Sequence, residues 1–128
     1  MRFIPIDKSD IEATEGLETL SDADLGPFIM ELLEWVKDMN WPVALPIAKR
    51  LADCGVEIVE PIKLVLRSDD SIWKYWVLSE IVINASPKVR EALSEEVIEL
   101  INKPSHKDKA EDVDLVARDI MVQYGHGI

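Results

Sequence analysis

The stretch DSIWKYWVLSEIVIN, Asp70 to Asn84, constrains this chain more than any other. Wound at about 100° per residue, its Ile72, Trp73, Tyr75, Trp76, Val77, Leu78, Ile81, Val82 and Ile83 point in nearly every direction. Only Lys74, Glu80 and Asn84 mark a narrow wet edge, and Lys74 stands four residues after Asp70, the spacing of a surface bridge worth about 0.3–0.5 kcal/mol. A helix apolar all round must be covered on several sides. The expectation is a central helix walled in by helical neighbours, with Asp69 or Asp70 placed to cap its start.

Helical patterning runs through the rest of the chain. In SDADLGPFIMELLEWVKD, Ser21 and Asp24 have the spacing of a capping box, and Leu25, Phe28, Ile29, Leu32, Leu33 and Val36 recur at helical intervals. WPVALPIAKRLADCG sets Pro42 at the first helical position and Gly55 just past the end. VEIVEPIKLVLRS tolerates Pro61 in its first turn. Ser86 and Pro87 start another helix, within which Ser94 is a candidate for a small kink. The loop PSHKDKAED offers Ser105 and Asp108 as a second capping-box spacing, ahead of a last helix from about Lys109 to Tyr124. Residues 1–20 supply one short helix, whose Ile11, Leu17 and Leu20 should pack onto the array. Residues 125–128 are expected to fray.

Leading helices begin near Pro27, Ile58 and Lys88, a spacing of about thirty residues, and their partners begin near Pro42, Ser71 and Lys109. Three helical hairpins follow, each able to bury its inner stripe on the next. The expected fold is all-α, one domain over 1–128 built as a short HEAT-repeat-like α-solenoid. An irregular helical bundle is the alternative.

Charge narrows the partners. Of 128 residues, 25 are acidic and 14 basic, a net charge of −11, and residues 1–31 hold eight acids against two bases. Such a surface repels phosphate backbones and anionic lipid heads while drawing in basic proteins. No apolar run approaches the ~20 residues of a membrane helix. The opening MRFIPIDKSD reaches Asp7 before a signal-peptide core could form, and the single Cys54 excludes an internal disulfide, so a cytoplasmic chain is expected.

The chemically richest stretch is DMNWPVALP, Asp38 to Pro46. With Pro42 first in its helix, Pro46 is fifth, which frees the Pro42 carbonyl and bends the helix. Asn40 is then a helix cap, and Asp38 accepts from open backbone N–H groups. Trp35 lies one turn before this loop and Trp41 within it. The four tryptophans, Trp35, Trp41, Trp73 and Trp76, all fall in the two central hairpins, and Trp73 and Trp76, three apart, can share a side. They serve equally as core packing or as a groove lined partly by indoles. The candidate interaction surface is Trp35, Asp38, Asn40, Trp41, Trp73, Lys74 and Trp76.

LLEWVKDMNWPVALPIAKRL and WKYWVLSEIV resemble the signature of a bacterial domain-of-unknown-function family, number 5071. FIPIDKSD and PSHKDKAEDVD resemble its pattern as well, whereas MVQYGHGI does not. The resemblance implies a small helical fold similar to HEAT repeats and marks Trp35, Asp38, Met39, Asn40, Trp41, Pro42, Trp73, Lys74 and Trp76 as signature positions without assigned roles.

Motifs for catalysis are missing. His106 and His126 have no second ligand at metal spacing, Cys54 sits at a helix end rather than a start, and no phosphate loop or nucleophile elbow occurs. No catalytic residue, cofactor or metal is therefore assigned. The expected function is a non-enzymatic protein-binding module for a basic partner, such as an adaptor or an immunity-like antagonist of a toxin. The alternative is a HEAT-like nucleic-acid-binding protein or base-excision enzyme, against which stands the lack of a basic stripe: Lys49, Arg50, Lys63, Arg67 and Lys74 are scattered among acids.

Overall fold

Asp70 takes the backbone N–H of Trp73 on its carboxylate at 3.0 Å and so starts the helix Ser71–Glu80, α6 in chain order. This computed structural model describes residues 2–124, without the side chain of Tyr124; the tail expected to fray, 125–128, lies outside the described residues. Before α6 come α1 (Ile11–Gly16), α2 (Asp22–Leu25), α3 (Ile29–Leu33), α4 (Ala44–Ala52) and α5 (Val59–Leu66). After it come α7 (Pro87–Asn102), α8 (His106–Ala110) and α9 (Val113–Tyr124). The described residues form helices, 3-10 turns and loops, and no strand.

The central place of α6 holds. It packs against α4, α5, α8, α9 and the 3-10 turn Glu34–Val36. Val77, Leu78, Ile81 and Val82 are all fully buried, each contributing about 1.5–3 kcal/mol of apolar burial. The wet edge expected at Lys74, Glu80 and Asn84 fails at Lys74, whereas Glu80 is half-buried and Asn84 exposed. Lys74 is 5% exposed, whereas Ile72 is 50% exposed. The reason is Asp108 on α8, whose carboxylate meets the Lys74 ammonium at 2.8 Å inside the fold, so Lys74 does not form the expected surface bridge with Asp70. The helix also ends sooner, at Glu80, and Val82–Asn84 continue as a 3-10 turn.

Helices pair along the chain: α3 with α4, α5 with α6, and α7 with α9. Successive pairs meet through α4 against α6, α5 against α7 and α6 against α9. Between them runs one continuous core, from Leu17 through Leu33, Ile47, Ile62 and Leu78 to Ile120.

Local breaks depart from the expected helices where backbone chemistry demands it. The run 22–36 is not one helix: α2 stops at Leu25, a 3-10 turn with Pro27 intervenes, and α3 follows. Proline supplies no N–H for an α-helical bond at that point. Ser94 causes no break, since α7 is continuous across it while its hydroxyl donates to the Glu91 carbonyl. The last helix is preceded by a separate short one, because Ser105 and Asp108 form the expected capping box and start α8 at His106. Asp112, at φ 61°, then turns the chain into α9. Aspartate is among the few residues that accept a left-handed conformation at modest cost.

The amino-terminal segment is tied down by one side chain. Arg50, 9% exposed, donates to the carbonyls of Leu17 at 3.1 Å and Leu20 at 2.8 Å and to the Asp22 carboxylate at 3.0 Å. Leu17 buries in the core and Leu20 packs against it as expected, while Ile11 remains half-exposed and Ala13 is buried in its place. The chain ahead of α1 passes directly over Gly16, where a Cβ would stand 2.6 Å from the Arg2 carbonyl oxygen.

Candidate functional site

The loop 37–43 is built around Asp38. Its carboxylate accepts the Asn40 N–H at 2.9 Å and its carbonyl accepts the Trp41 N–H at 3.1 Å, which closes a tight Asx turn. Asp38 thus accepts from backbone N–H groups as expected, but Asn40 is not a helix cap. The helix starts two residues later than the sequence indicates, at Ala44 after Val43. Pro46 is therefore third rather than fifth in α4, within the first turn, where helical N–H groups have no partner to lose. The expected bend at Pro46 has no cause. Trp35 and Trp41 pair edge to face with ring centroids 5.9 Å apart, both half-buried.

Trp73 and Trp76 do not act together. Trp73 is 9% exposed and donates its indole N–H to the Leu33 carbonyl at 2.9 Å, with the Lys37 ammonium 4.5 Å from its ring centroid. It joins α6 to the end of α3 and belongs to the core. Trp76 is half-buried and stacks edge to face on Tyr75 at 5.1 Å. Lys74 lies in neither place. It is an internal ion pair, with Ser71 donating its hydroxyl to the same Asp108 oxygen at 2.6 Å and the Ser105 N–H reaching the other oxygen at 3.2 Å. Burial raises the Asp108 pKa, but Lys74 and these hydrogen bonds outweigh it and hold the carboxyl below the usual carboxylate range. The proposed seven-residue surface thus divides: Trp35, Asp38, Asn40 and Trp41 form one corner, Trp73 and Lys74 are internal, and Trp76 faces another groove.

That groove runs between α6 and the α8–α9 turn. Two adjoining depressions, of about 410 and 220 Å³, share Ile72, Ala110 and Glu111 in their walls. Tyr75 and Trp76 line the smaller one with Asp112, and Asp69, Asp70 and Lys107 line the larger. Four carboxylates against one ammonium surround a half-exposed isoleucine and two aromatic rings. Sequence reasoning missed this place because it required the break at Asp112 and the outward turn of Ile72.

Chemistry elsewhere is quiet. Cys54 is 1% exposed, and burial pushes its thiol up to about 12 despite the neighbouring Arg50 guanidinium, so it is no nucleophile at neutral pH. Among the described residues no group of three or more His, Cys, Asp or Glu could hold a metal ion, and no helix is long and apolar enough to cross a membrane. Arg50 and Lys74, two of the scattered cations, are buried against Asp22 and Asp108. A family model described as Domain of unknown function (DUF5071) matches residues 3–121. No curated protein matches the chain.

Proposed function

The chain belongs to the DUF5071 family, and from that premise we propose that it is a non-enzymatic protein-interaction module that docks a basic segment of its partner in the α6–α8 groove. The observation carrying this reading is the groove's composition: Ile72, half exposed, beside Tyr75 and Trp76, ringed by Asp69, Asp70, Glu111 and Asp112 with Lys107 as its single base. An apolar and aromatic floor anchors a partner by burial, while the carboxylate rim speeds the encounter and selects positive charge. The wider excess of acid over base, 25 against 14, favours the same partners. Supporting architecture is a HEAT-like stack, in which α3–α4, α5–α6 and α7–α9 are successive hairpins and α8 is an insertion that builds one wall of the groove. A cytoplasmic adaptor, or an immunity-like antagonist of a basic toxin, is the role that fits such a module.

The test places photoactivatable benzoylphenylalanine at position 72 in the living cell. The expected adduct joins the groove to a lysine- or arginine-rich segment of another protein, and it disappears in Glu111→Lys with Asp112→Lys. An adduct insensitive to this charge reversal, or none at all, defeats the proposal.

A further inference from the structure

Helix α8 is held to α6 by one side chain. Every residue from Ser105 to Asp112 is exposed except Asp108, which is 2% exposed. A surface helix ordinarily clings by an apolar stripe, and α8 has none. Among the described residues, its hydrogen bonds and ion pairs to α6 all end on Asp108 Oδ1, which takes the Lys74 ammonium at 2.8 Å and the Ser71 hydroxyl at 2.6 Å. With only five residues, α8 is far too short to persist by itself once that attachment is lost.

Space lies on both sides of this latch. A cleft of about 500 Å³ has Ser105, Asp108 and Lys74 in its walls, and the larger depression of the groove, about 410 Å³, has Ser71, Lys107, Ala110 and Glu111. Helix α8 is the partition between the two. At either end the chain leaves helical geometry, at Lys103 (φ −136°, ψ 53°) and at Asp112 (φ 61°), the kind of element-terminal position that absorbs a hinge rotation. The flanking helices are anchored differently: α7 buries Val97 and Leu100, and α9 buries Val113 and Ile120. We infer that α8 is a flap, latched by Asp108 onto Lys74 and Ser71, which opens while α6, α7 and α9 stay folded, and that this latch gates the docking groove by holding its wall in place. The gating rests on the docking proposal. A segment docked against Lys107, Ala110 and Glu111 binds the closed form, so it must in turn hold the flap shut.

The experiment follows the isotope-labelled full chain by amide hydrogen exchange at low urea and by single-hit reductive methylation, which keeps the charge of lysine. The Lys109 and Glu111 N–H groups, bonded to the Ser105 and Lys107 carbonyls, are expected to exchange about 100-fold or more faster than that of Ile120, with little dependence on urea. Lys74, 5% exposed, should be methylated with the same independence of urea, and Ser71→Ala should speed its methylation about two- to tenfold. Acetylated tetra-arginine amide at about 100 times its Kd, read from the Trp76 indole resonance, should slow Lys74 methylation about 100-fold. Exchange of Lys109 and Glu111 in step with Ile120, or methylation of Lys74 only where urea unfolds the chain, overturns the flap. Saturation at Trp76 with Lys74 methylation unchanged overturns the gating. If the peptide does not bind, the docking proposal fails and the gating with it, while the urea dependences in the free chain still decide the flap.

Discussion

Replacing Lys74 with methionine removes a charge while keeping most of the side-chain volume, and it separates an internal ion pair from a surface one. In the structure the Asp108 carboxylate, 3% exposed, would keep only the Ser71 hydroxyl and the Ser105 N–H as partners. Breaking a buried pair from one side costs about 3–5 kcal/mol. Protonation of Asp108 offers an escape whose cost is about 1.4 kcal/mol for each pH unit above the unfolded pKa near 3.9, so at pH 7 it limits the charge penalty to about 4 kcal/mol. The expected loss is therefore about 3–4 kcal/mol, or roughly 10–15 °C in Tm for a chain of this size. Urea unfolding followed by circular dichroism measures it, with Lys103→Met as the control, since Lys103 and Glu99 are both largely exposed at 3.9 Å and such a pair contributes about 0–1 kcal/mol. A loss under 1 kcal/mol in Lys74→Met would show that Lys74 sits at the surface, as the helical wheel alone indicates, and the internal pair would be refuted.

Three further outcomes follow from the same buried groups. Because the Asp108 pKa is lowered in the folded state, its contribution is present above the unfolded value near 4 and is lost as pH falls through the lower folded value; acid titration of stability should show this loss, and Asp108→Asn should flatten it. Arg50→Lys cannot reproduce the contacts to Leu17, Leu20 and Asp22 together and should cost about 2–3 kcal/mol, with amide exchange rising first over residues 11–20. Cys54 should resist a disulfide reagent at pH 8 in the folded chain and react fully in denaturant, given its 1% exposure and a thiol near 12.

Helical class, the central position of α6 and the Ser105–Asp108 cap could all be read from the residues alone. These depend on short-range facts: an apolar surface that has no solvent-facing side, and side chains that reach their own backbone three residues on. Asp70 capped as anticipated for the same reason. Positions of single charges were not legible in this way. A helical wheel assigns Lys74 to water because lysine is costly to bury alone, and nothing local reveals that Asp108, 34 residues later, will be held opposite it by its own capping duties. The outward turn of Ile72 is the other half of that exchange.

The candidate site divides along the same line. Trp35, Asp38 and Trp41 lie together because a tight turn needs little beyond its own residues. Trp73 and Trp76, neighbours on one helix, were parted by what packed on each: the Leu33 carbonyl took one indole N–H, and the turn at Asp112 left the other ring lining a groove. Sequence by itself determined which segments are helical and which of them must be inside, since periodicity and capping are written within a few residues. Only the tertiary structure decided which polar groups are buried and which apolar ones face water, because a buried charge is stable only when a distant segment supplies its partner.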